Sequence, residues 1–535
     1  MSKNLSVSLV SAALRLRAFC VNFERLPTER NRITKFWRFL EQARKGIIVT
    51  QRTEARSGPR PRWILFVLVA CLLVPLIALL LPRPKPVASN QAATTNQLAD
   101  NSMPRHPQIA TLTPLRNRSA STSAASAEPA AQMVARKAKQ FGHLQHDFFY
   151  KMVKKRNMKV PKEVERFFEA AEKGDWEQLE ASFKKLSAVA PQRSKNPGEA
   201  DRLWGQEPRP DPDELGQLWS SINATFGPLE QAHQWPPQEY LDYGNAILDS
   251  LRPGMVYVGG TDPGRFIPEL LAATSDGEQH VVITQNALAD GSYLDYIRAQ
   301  FGDRMGLPSS EDAQRAFDQY TTDARARLLH DQQFPNEPPQ LKPGENVTID
   351  DQGKVNVSGQ VSVMLINELI LQDILQKNPS LSFGLEESFP LKSTYGDAAP
   401  LGPIMELRAQ GGQDALTADS AGQSLDYWKD RVQQLLSDPA ASGSDWMKAY
   451  AKMIDGQANL FNAHGLNDQA EQAYRLSLQV TPGNPEAVLG YTNLLVAENR
   501  SQDALAIAQS AAQAHPDNQQ FQDLVSRLQA PAKAQ

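Results

Sequence analysis

An uncharged run of apolar residues, Trp63 to Leu81, constrains this 535-residue chain more than any other feature. Its 19 residues are close to the ~20 that a helix needs to cross a hydrocarbon core about 30 Å thick. Pro75 lies inside the run, and membrane helices tolerate proline better than other helices do. The run therefore predicts a single transmembrane helix that separates a short basic head from a long body.

Positive charge is concentrated on one side of this run. Residues 1–62 contain fourteen lysines and arginines, whereas residues 82–103 contain only Arg83 and Lys85. Because basic flanks stay on the cytoplasmic side of a membrane, we expect the N-terminus in the cytoplasm and the body outside it. A cleaved signal peptide is the alternative, but its apolar core is about 7–15 residues long and follows a short basic start.

The composition of the body restricts its chemistry. The two cysteines are Cys20, in the head, and Cys71, in the apolar run, so the body can neither form disulfides nor use a thiolate. The net charge of −4 gives no general attraction to nucleic acid. A disulfide-free body rich in alanine and glutamine suggests a bacterial protein, with the anchor in the inner membrane and the body in the periplasm.

Composition and periodicity divide the chain into segments. Residues after the anchor are mostly Ala, Ser, Thr, Asn, Gln and Pro, a composition that cannot bury enough apolar surface to fold. The predicted segments are a basic cytoplasmic head at 1–62, a transmembrane helix at 63–81, a disordered tether at 82–131, a helical region at 132–251, an α/β domain at 252–412, a helical connection at 413–450, and helical repeats with a capping helix at 451–535. The predicted fold class is thus a single-pass membrane protein whose exterior α/β domain lies between helical regions.

The α/β prediction rests on alternating periodicity. Short β-rich runs, MVYVGG and HVVIT, each precede a helical pattern, which is typical of an α/β layer. The segments VTID and KVNVS flank Asp351-Gln-Gly, a turn-forming sequence that predicts a hairpin. An apolar helix, VSVMLINELILQDILQ, and strands in LSFGLEES and PIMELR would complete the domain.

The candidate ligand site follows the first of these strands. A turn into a helix presents free backbone N–H groups and the positive helix end at the carboxyl edge of the sheet, where an anion or sugar phosphate could bind. The candidate residues here are Gly259, Gly260, Thr261, Asp262 and Arg265. In the structural alternative, Asp262 is an N-cap followed by Pro263, and the glycines serve only the turn.

A second polar cluster, Gln285, Asn286 and Asp290, follows the second strand. If the two strands are adjacent and parallel, both loops open on the same edge and form one pocket. In the alternative interpretation, Asp290 or Ser292 is a helix cap. The pair Glu386-Glu387 ends a later strand, and because neighbours on a strand point to opposite faces, at most one of them faces this pocket.

Metal and cofactor sites are not predicted. His143, His146 and Asp147 have a spacing that could place two ligands on one helical face, but no third ligand is identifiable and the helix looks exposed. The chain contains no GxSxG or HExxH motif and no nucleotide-binding glycine loop.

The C-terminal part repeats with a period of 34 residues, which relates Ala470 to Ala504 and Pro482 to Pro516. With its helix–turn–helix pattern, this period resembles tetratricopeptide repeats over about residues 451–529. The family positions are filled by Ala458, Phe461, Gly465, Ala470, Tyr474 and Pro482 in the first unit and by Tyr491, Leu495, Ala504, Ala508, Ala511 and Pro516 in the second. The second unit has Thr492 at the small position and lacks the turn glycine. The resemblance implies a groove that binds a protein partner, which it does not specify.

A second resemblance concerns the region 250–410. The order of strand, GGTDPGRF, helix, ITQNALAD, EES strand and repeats is similar to the soluble C-terminal portion of bacterial multi-spanning proteins related to protein O-mannosyltransferases. This chain has one predicted membrane helix in place of their many-helix core, so the resemblance implies a shared exterior module that recognises glycan or protein, without glycosyl transfer.

These observations leave three hypotheses. The leading one is a membrane-anchored periplasmic scaffold that binds protein partners through its repeats. The second is a carbohydrate- or anion-binding module that uses the GGTDPGRF loop. The third is an enzyme that uses Asp262, Asp290 or Glu387 as acid or base. We favour binding over catalysis, because the predicted anchor replaces the many-helix catalytic core of the proteins that this region resembles.

Overall fold

The computed structural model describes residues 128–190, 197–407, 416–438 and 441–529. The predicted head, the predicted transmembrane helix at 63–81 and almost all of the predicted tether lie outside these residues. Within the described ranges, no helix is long and apolar enough to cross a membrane. The anchor therefore stays a prediction.

The described part begins with the predicted helical region. Its helices are α1 (Ala130–Lys155), α2 (Lys162–Lys173), α3 (Trp176–Val189), α4 (Pro197–Trp204), α5 (Pro212–Gln234) and α6 (Pro237–Leu248). The predicted break between α2 and α3 is present, because Gly174 has a left-handed φ of 73° and the Asp175 side chain caps α3. Since α1 begins at Ala130, the last residues of the predicted tether are helical.

The α/β layer follows. Its elements are β1 (Val256–Gly259), α7 (Asp262–Ala273), β2 (Val281–Thr284), α8 (Gly291–Phe301), α9 (Ser310–Gln333), β3 (Asn346–Ile349), β4 (Val355–Ser358), α10 (Gln360–Lys377), β5 (Phe383–Leu385), β6 (Ala398–Leu401) and β7 (Ile404–Leu407). The predicted hairpin is present as the antiparallel pair β3–β4. Strand β6 is an additional element that the periodicity does not predict.

The main sheet has the order β2-β1-β5-β7-β6. Strands β2, β1 and β5 are parallel, whereas β7 is antiparallel to both β5 and β6. The carboxyl ends of β1, β2 and β5 consequently meet at one edge, as the prediction of converging loops requires.

Both faces of this sheet are covered by helices. Tyr257 and Val282 belong to a buried apolar cluster with side chains of α5, α6 and α7. Val258 and Ile283 point the other way and pack with side chains of α8, α9 and α10. Because successive side chains point to opposite faces and both faces are buried, these strands are apolar throughout. It also shows that the helices before residue 251 share a core with the sheet and are not a separate domain.

The C-terminal helices are α11 (Ala418–Leu435), α12 (Asp445–Ala463), α13 (Asn467–Val480), α14 (Pro485–Ala497), α15 (Ser501–Ala514) and α16 (Gln519–Gln529). Helix α12 begins inside the predicted helical connection at 413–450, so the first helix of the repeats starts earlier than predicted. Gly465 forms the turn between α12 and α13 with a φ of 72°. Asn499, 34 residues later in the sequence, has a φ of 62° and forms the equivalent turn in the repeat that lacks the glycine.

Candidate functional site

The backbone amides predicted to bind an anion hold a carboxylate of the chain itself. The amides of Gly260 and Thr261 donate to Glu386 Oε2 at 2.7 and 2.8 Å, and Thr261 Oγ1 donates to Glu386 Oε1 at 2.9 Å. Glu386 follows β5, which lies beside β1 in the sheet. The anion-binding geometry of the loop is therefore present, and Glu386 occupies it.

Glu386 fits tightly and is only 1% exposed. Burial raises its pKa above the ordinary 4.5, and the hydrogen bonds from Thr261 and Gly260 only partly oppose this effect. A Cβ on Gly264 would collide with the Glu386 carboxylate, and one on Gly260 with the backbone of Glu386 and Ser388. Gly259 is constrained as well, since a Cβ there would lie 2.7 Å from Arg265 Cα. The glycines thus let the backbone approach both α7 and this internal carboxylate.

The N-cap of α7 is Thr261, whose Oγ1 accepts the amide of Gly264 at 3.0 Å. Asp262 is the first helical residue and is exposed. The interpretation of Asp262 as the N-cap is therefore wrong by one residue. Threonine and aspartate both cap helices well, so residue type alone does not distinguish Thr261 from Asp262. In the structure the Thr261 hydroxyl caps the helix and also donates to Glu386.

Arg265 has partners of its own. Its Nε lies 3.3 Å from Glu269 Oε2, and its guanidinium carbon lies 4.7 Å from the ring centre of Phe266 and 5.1 Å from that of Tyr293. Burial raises the pKa of Glu269 to about 7, against the opposing effect of Arg265. The structure thus places Arg265 in a buried ion pair, whereas the loop amides bind Glu386.

Gln285 and Asn286 lie beside this loop and share Ser388 as a hydrogen-bond partner. Gln285 Nε2 donates to Ser388 Oγ at 2.9 Å, and Ser388 Oγ donates to Asn286 Oδ1 at 2.8 Å. Asn286 Nδ2 also donates to the carbonyl of Gly260. The two predicted loops therefore form one hydrogen-bonded cluster, and Ser388 is the member that the sequence did not reveal.

Asp290 does not join this cluster. Its side chain accepts the amide of Ser292 at 2.8 Å and caps α8. The alternative interpretation of Asp290 as a helix cap is confirmed.

Glu387 points away from the loop, as expected for the neighbour of Glu386. Its Oε2 accepts the hydroxyl of Tyr395 at 2.6 Å and the amide of Leu391 at 3.3 Å, and its Oε1 accepts Asn459 Nδ2 at 3.2 Å. Burial raises the pKa of Glu387 to about 7, and these hydrogen bonds do not offset it. Since Asn459 lies on α12, Glu387 joins the sheet edge to the first repeat.

Two further residues of α12, Lys452 and Asp455, lie on the same helical face as Asn459. Burial raises the pKa of Asp455 to about 7, although Ser477 and Asn484 hydrogen-bond to it. The Lys452 ammonium pairs with Glu486. Its positive charge partly opposes the rise in the pKa of Asp455 and of the two glutamates that end β5. We call this group of Glu386, Glu387, Lys452, Asp455 and Asn459 the acidic seam.

Further contacts join α12 to the edge of the sheet. Gln457 Nε2 donates to the carbonyl of Ile404 in β7 at 2.8 Å, and His464 Nε2 donates to the carbonyl of Tyr395 at 2.7 Å. The methyl end of Met405 packs beside Gly456. The sheet edge therefore covers one face of α12, while α13 and α14 cover the other.

Sequence reasoning missed the α12 part of the seam. The available signal is the alternation of polar and apolar residues in MIDGQANLF, where Asp455, Gln457 and Asn459 lie among apolar residues. The side chains of Asp455 and Gln457 are 1% exposed. Buried polar residues need partners, so such residues in an apolar helix predict a contact with polar groups elsewhere.

The described residues contain no group of three or more His, Cys, Asp or Glu that could hold a metal ion. His143 and His146 face Glu172 on α2, with nitrogen–oxygen distances of 3.1 and 3.5 Å. The polar spacing in α1 is thus part of the contact between α1 and α2.

A family model described as Tetratricopeptide repeat matches residues 462–528. The match spans α13 to α16 and confirms the repeat prediction for this part of the chain. No curated protein and no solved structure gives a match, so the resemblance to proteins related to O-mannosyltransferases receives no support. Repeats of this class generally bind protein partners, which indicates an interaction or scaffold role.

Proposed function

We propose that the protein is a periplasmic scaffold, anchored in the inner membrane by the helix predicted at 63–81, whose C-terminal repeats bind a protein partner. The observation that carries the proposal is the contrast between the two repeats. Asn459 of α12 contacts Glu387 at the sheet edge, whereas Asn493, at the equivalent position of α14, is exposed.

The 34-residue period relates Asn459 in α12 to Asn493 in α14. Asn459 binds the carboxylate of Glu387, which shows that this face binds a strand end of the chain itself. Asn493 is exposed, and the nearby Val496, at a position that is exposed in both repeats, is 41% exposed. The second repeat therefore offers to another polypeptide the position that the first repeat uses internally.

Site-specific photo-crosslinking in cells tests this proposal. A photoreactive amino acid replaces Val496 in the full chain, and the control carries it at Leu329 on α9, which is similarly exposed at 46%. We expect a protein adduct at Val496 and not at Leu329. Absence of an adduct at Val496, or the same adduct at both positions, would contradict the proposal.

The proposed topology has a separate test. Alkaline phosphatase is active only in an oxidising compartment, so a fusion at the C-terminus should be active if the body is periplasmic. An inactive fusion that is nevertheless produced would contradict the proposed location of the body.

The occupied loop supports a second candidate function, the binding of a carboxylated sugar or another small anion in place of Glu386. Of the residues predicted from sequence, the site would comprise those of the hydrogen-bonded cluster and its turn, namely Gly259, Gly260, Thr261, Gln285 and Asn286. The supporting observation is that two of the loop amides bind a carboxylate. Titration calorimetry with glucuronate, galacturonate and inorganic phosphate tests it, because Glu386→Gln should bind one of them more tightly than the wild type. Absence of binding by both proteins would reject it.

A further inference from the structure

A groove of about 790 Å³ lies between α11 and α13, outside the acidic seam. Ligand-binding clefts have volumes of about 300–1,000 Å³, so the groove can hold a short stretch of polypeptide. Its apolar lining consists of Val432, Leu436 and Leu476. Leu436 is 44% exposed, which is high for a large apolar side chain beside a cleft.

The charged side chains that line the groove, Lys429 and Arg475, are both cationic. Arg475 shares one carboxylate with a second guanidinium, because Glu471 also binds Arg500, with Arg500 Nη1 2.7 Å from Glu471 Oε2. Lys429 lies 3.2 Å from Asp426, whose side chain is largely exposed, so that pair is weak. The groove is thus positive in a chain whose net charge is −4.

Amide side chains supply the remaining polarity of the groove. Gln433 lies on α11, and Gln472 and Gln479 lie on α13. All three are exposed. Each amide offers both donors and acceptors, which suits the main-chain N–H and C=O groups of an extended peptide.

Building on the proposed scaffold function, we propose that this groove binds an extended acidic segment of the protein partner. One carboxylate of the segment lies against Lys429 and Arg475, and an apolar side chain next to it packs on Leu436. Charge complementarity selects the occupant, since a basic segment would place like charges against both cations.

Fluorescence anisotropy with the purified full chain in detergent tests the inference. The probes are a labelled peptide of Asp, Glu and Leu and a labelled peptide with Lys in place of the acidic residues. We expect the acidic peptide to bind at least about tenfold more tightly than the basic one, and its affinity to fall as salt is added. Equal binding of the two peptides, or binding of neither, would overturn the inference.

Two lysines of the chain provide a matched pair of variants. Lys429 pairs with Asp426, three residues earlier, and its side chain is 50% exposed. Lys448, in the first turn of α12, pairs with Asp445, three residues earlier, and its side chain is 57% exposed. Lys429→Glu should weaken binding of the acidic peptide about tenfold, whereas Lys448→Glu should leave it unchanged. Leu436→Ser should also weaken binding, through loss of the apolar contact. Equal losses for the two lysine variants would refute a role for the groove.

Crosslinking at a second position, with the acidic peptide as competitor, distinguishes an error in the groove assignment from an error in the proposed scaffold function. A photoreactive residue at Leu436 should crosslink to the partner that Val496 captures, and excess acidic peptide should suppress the Leu436 adduct. A partner captured at Val496 but not at Leu436 would overturn the groove assignment and leave the scaffold function intact. Crosslinking of Leu436 to a second copy of the chain would overturn the assignment as well.

Discussion

Replacing Glu387 with glutamine should stabilise the body at pH 8 and have little effect at pH 5. Glutamine has the same shape and can still accept the hydroxyl of Tyr395. Its NH₂ group would face Asn459, whose own amide can rotate because its other partner, the Tyr474 hydroxyl at 2.8 Å, can accept as well as donate a hydrogen bond. The substitution therefore removes the ionisable group without leaving the amide of residue 387 or Asn459 unpaired.

The magnitude follows from the pKa of Glu387. The ordinary value is 4.5 and burial raises the pKa to about 7 in the folded protein. At about 1.4 kcal/mol per pKa unit, the ionised carboxylate costs the folded state about 3 kcal/mol at pH 8.

The sign follows from where each state loses its proton. The unfolded chain ionises first, near pH 4.5, so the contribution of the protonated carboxyl to stability is complete below that pH. This contribution is lost as the pH rises through about 7. Glutamine cannot ionise, so its advantage over the wild type should grow by about 2–3 kcal/mol between pH 5 and pH 8.

Urea unfolding of the wild type and the Glu387→Gln variant at pH 5, 6, 7 and 8 measures this difference. Trp428 in α11 and Trp446 in α12 pack in or against the apolar cluster that includes Tyr450, so their fluorescence reports unfolding of this part of the chain. A difference in stability that does not change with pH would refute the argument. So would a variant less stable than the wild type at pH 8.

Three further substitutions address other parts of the fold. Glu386→Ala leaves two loop amides without their acceptor, so the free energy of unfolding should fall by about 2–4 kcal/mol and exchange of those amides, followed by mass spectrometry, should accelerate. Asn499 has a left-handed φ of 62°, which alanine tolerates less well than asparagine or glycine. Asn499→Ala should therefore lower the melting temperature through a loss of about 1 kcal/mol, whereas Asn499→Gly should not. Burial raises the pKa of Glu345, but hydrogen bonds from Arg327, Lys342 and Tyr320 outweigh this and hold it below 4.5. Glu345→Gln should therefore cost about 2 kcal/mol at pH 7 in urea unfolding, and the cost should shrink as the pH falls below 4.5. A cost that is the same at pH 4 and pH 7 would contradict this account.

Local sequence patterns predicted most of the elements correctly, because periodicity reports which side of a helix or strand is buried. The turn between α14 and α15 was not predicted, because the family's turn glycine is missing from the second repeat. The repeat lacks its glycine there, yet Asn499 adopts the same left-handed conformation, which asparagine tolerates better than most residues.

Strand β6 escaped prediction for a related reason. Its sequence, Ala-Ala-Pro-Leu, has low β propensity, and it lies at the edge of the sheet, paired with β7 alone. Proline is tolerated in an edge strand because the missing N–H is not needed on its outer side. The pairing with β7 therefore determines that this segment is a strand.

The sequence by itself determined the repeat period, the alternation of strands and helices, and the opposite directions of Glu386 and Glu387, since all of these follow from backbone periodicity. Only the tertiary structure decided what these side chains contact. Gly260 and its acceptor Glu386 are 126 residues apart, and Asn459 and Glu387 are 72 apart. Burial of a carboxylate requires donors that converge from distant segments, and no local pattern encodes which segments will meet. For that reason the sequence indicated an anion-binding loop and a repeat face, and the fold revealed that the chain fills the first and covers part of the second.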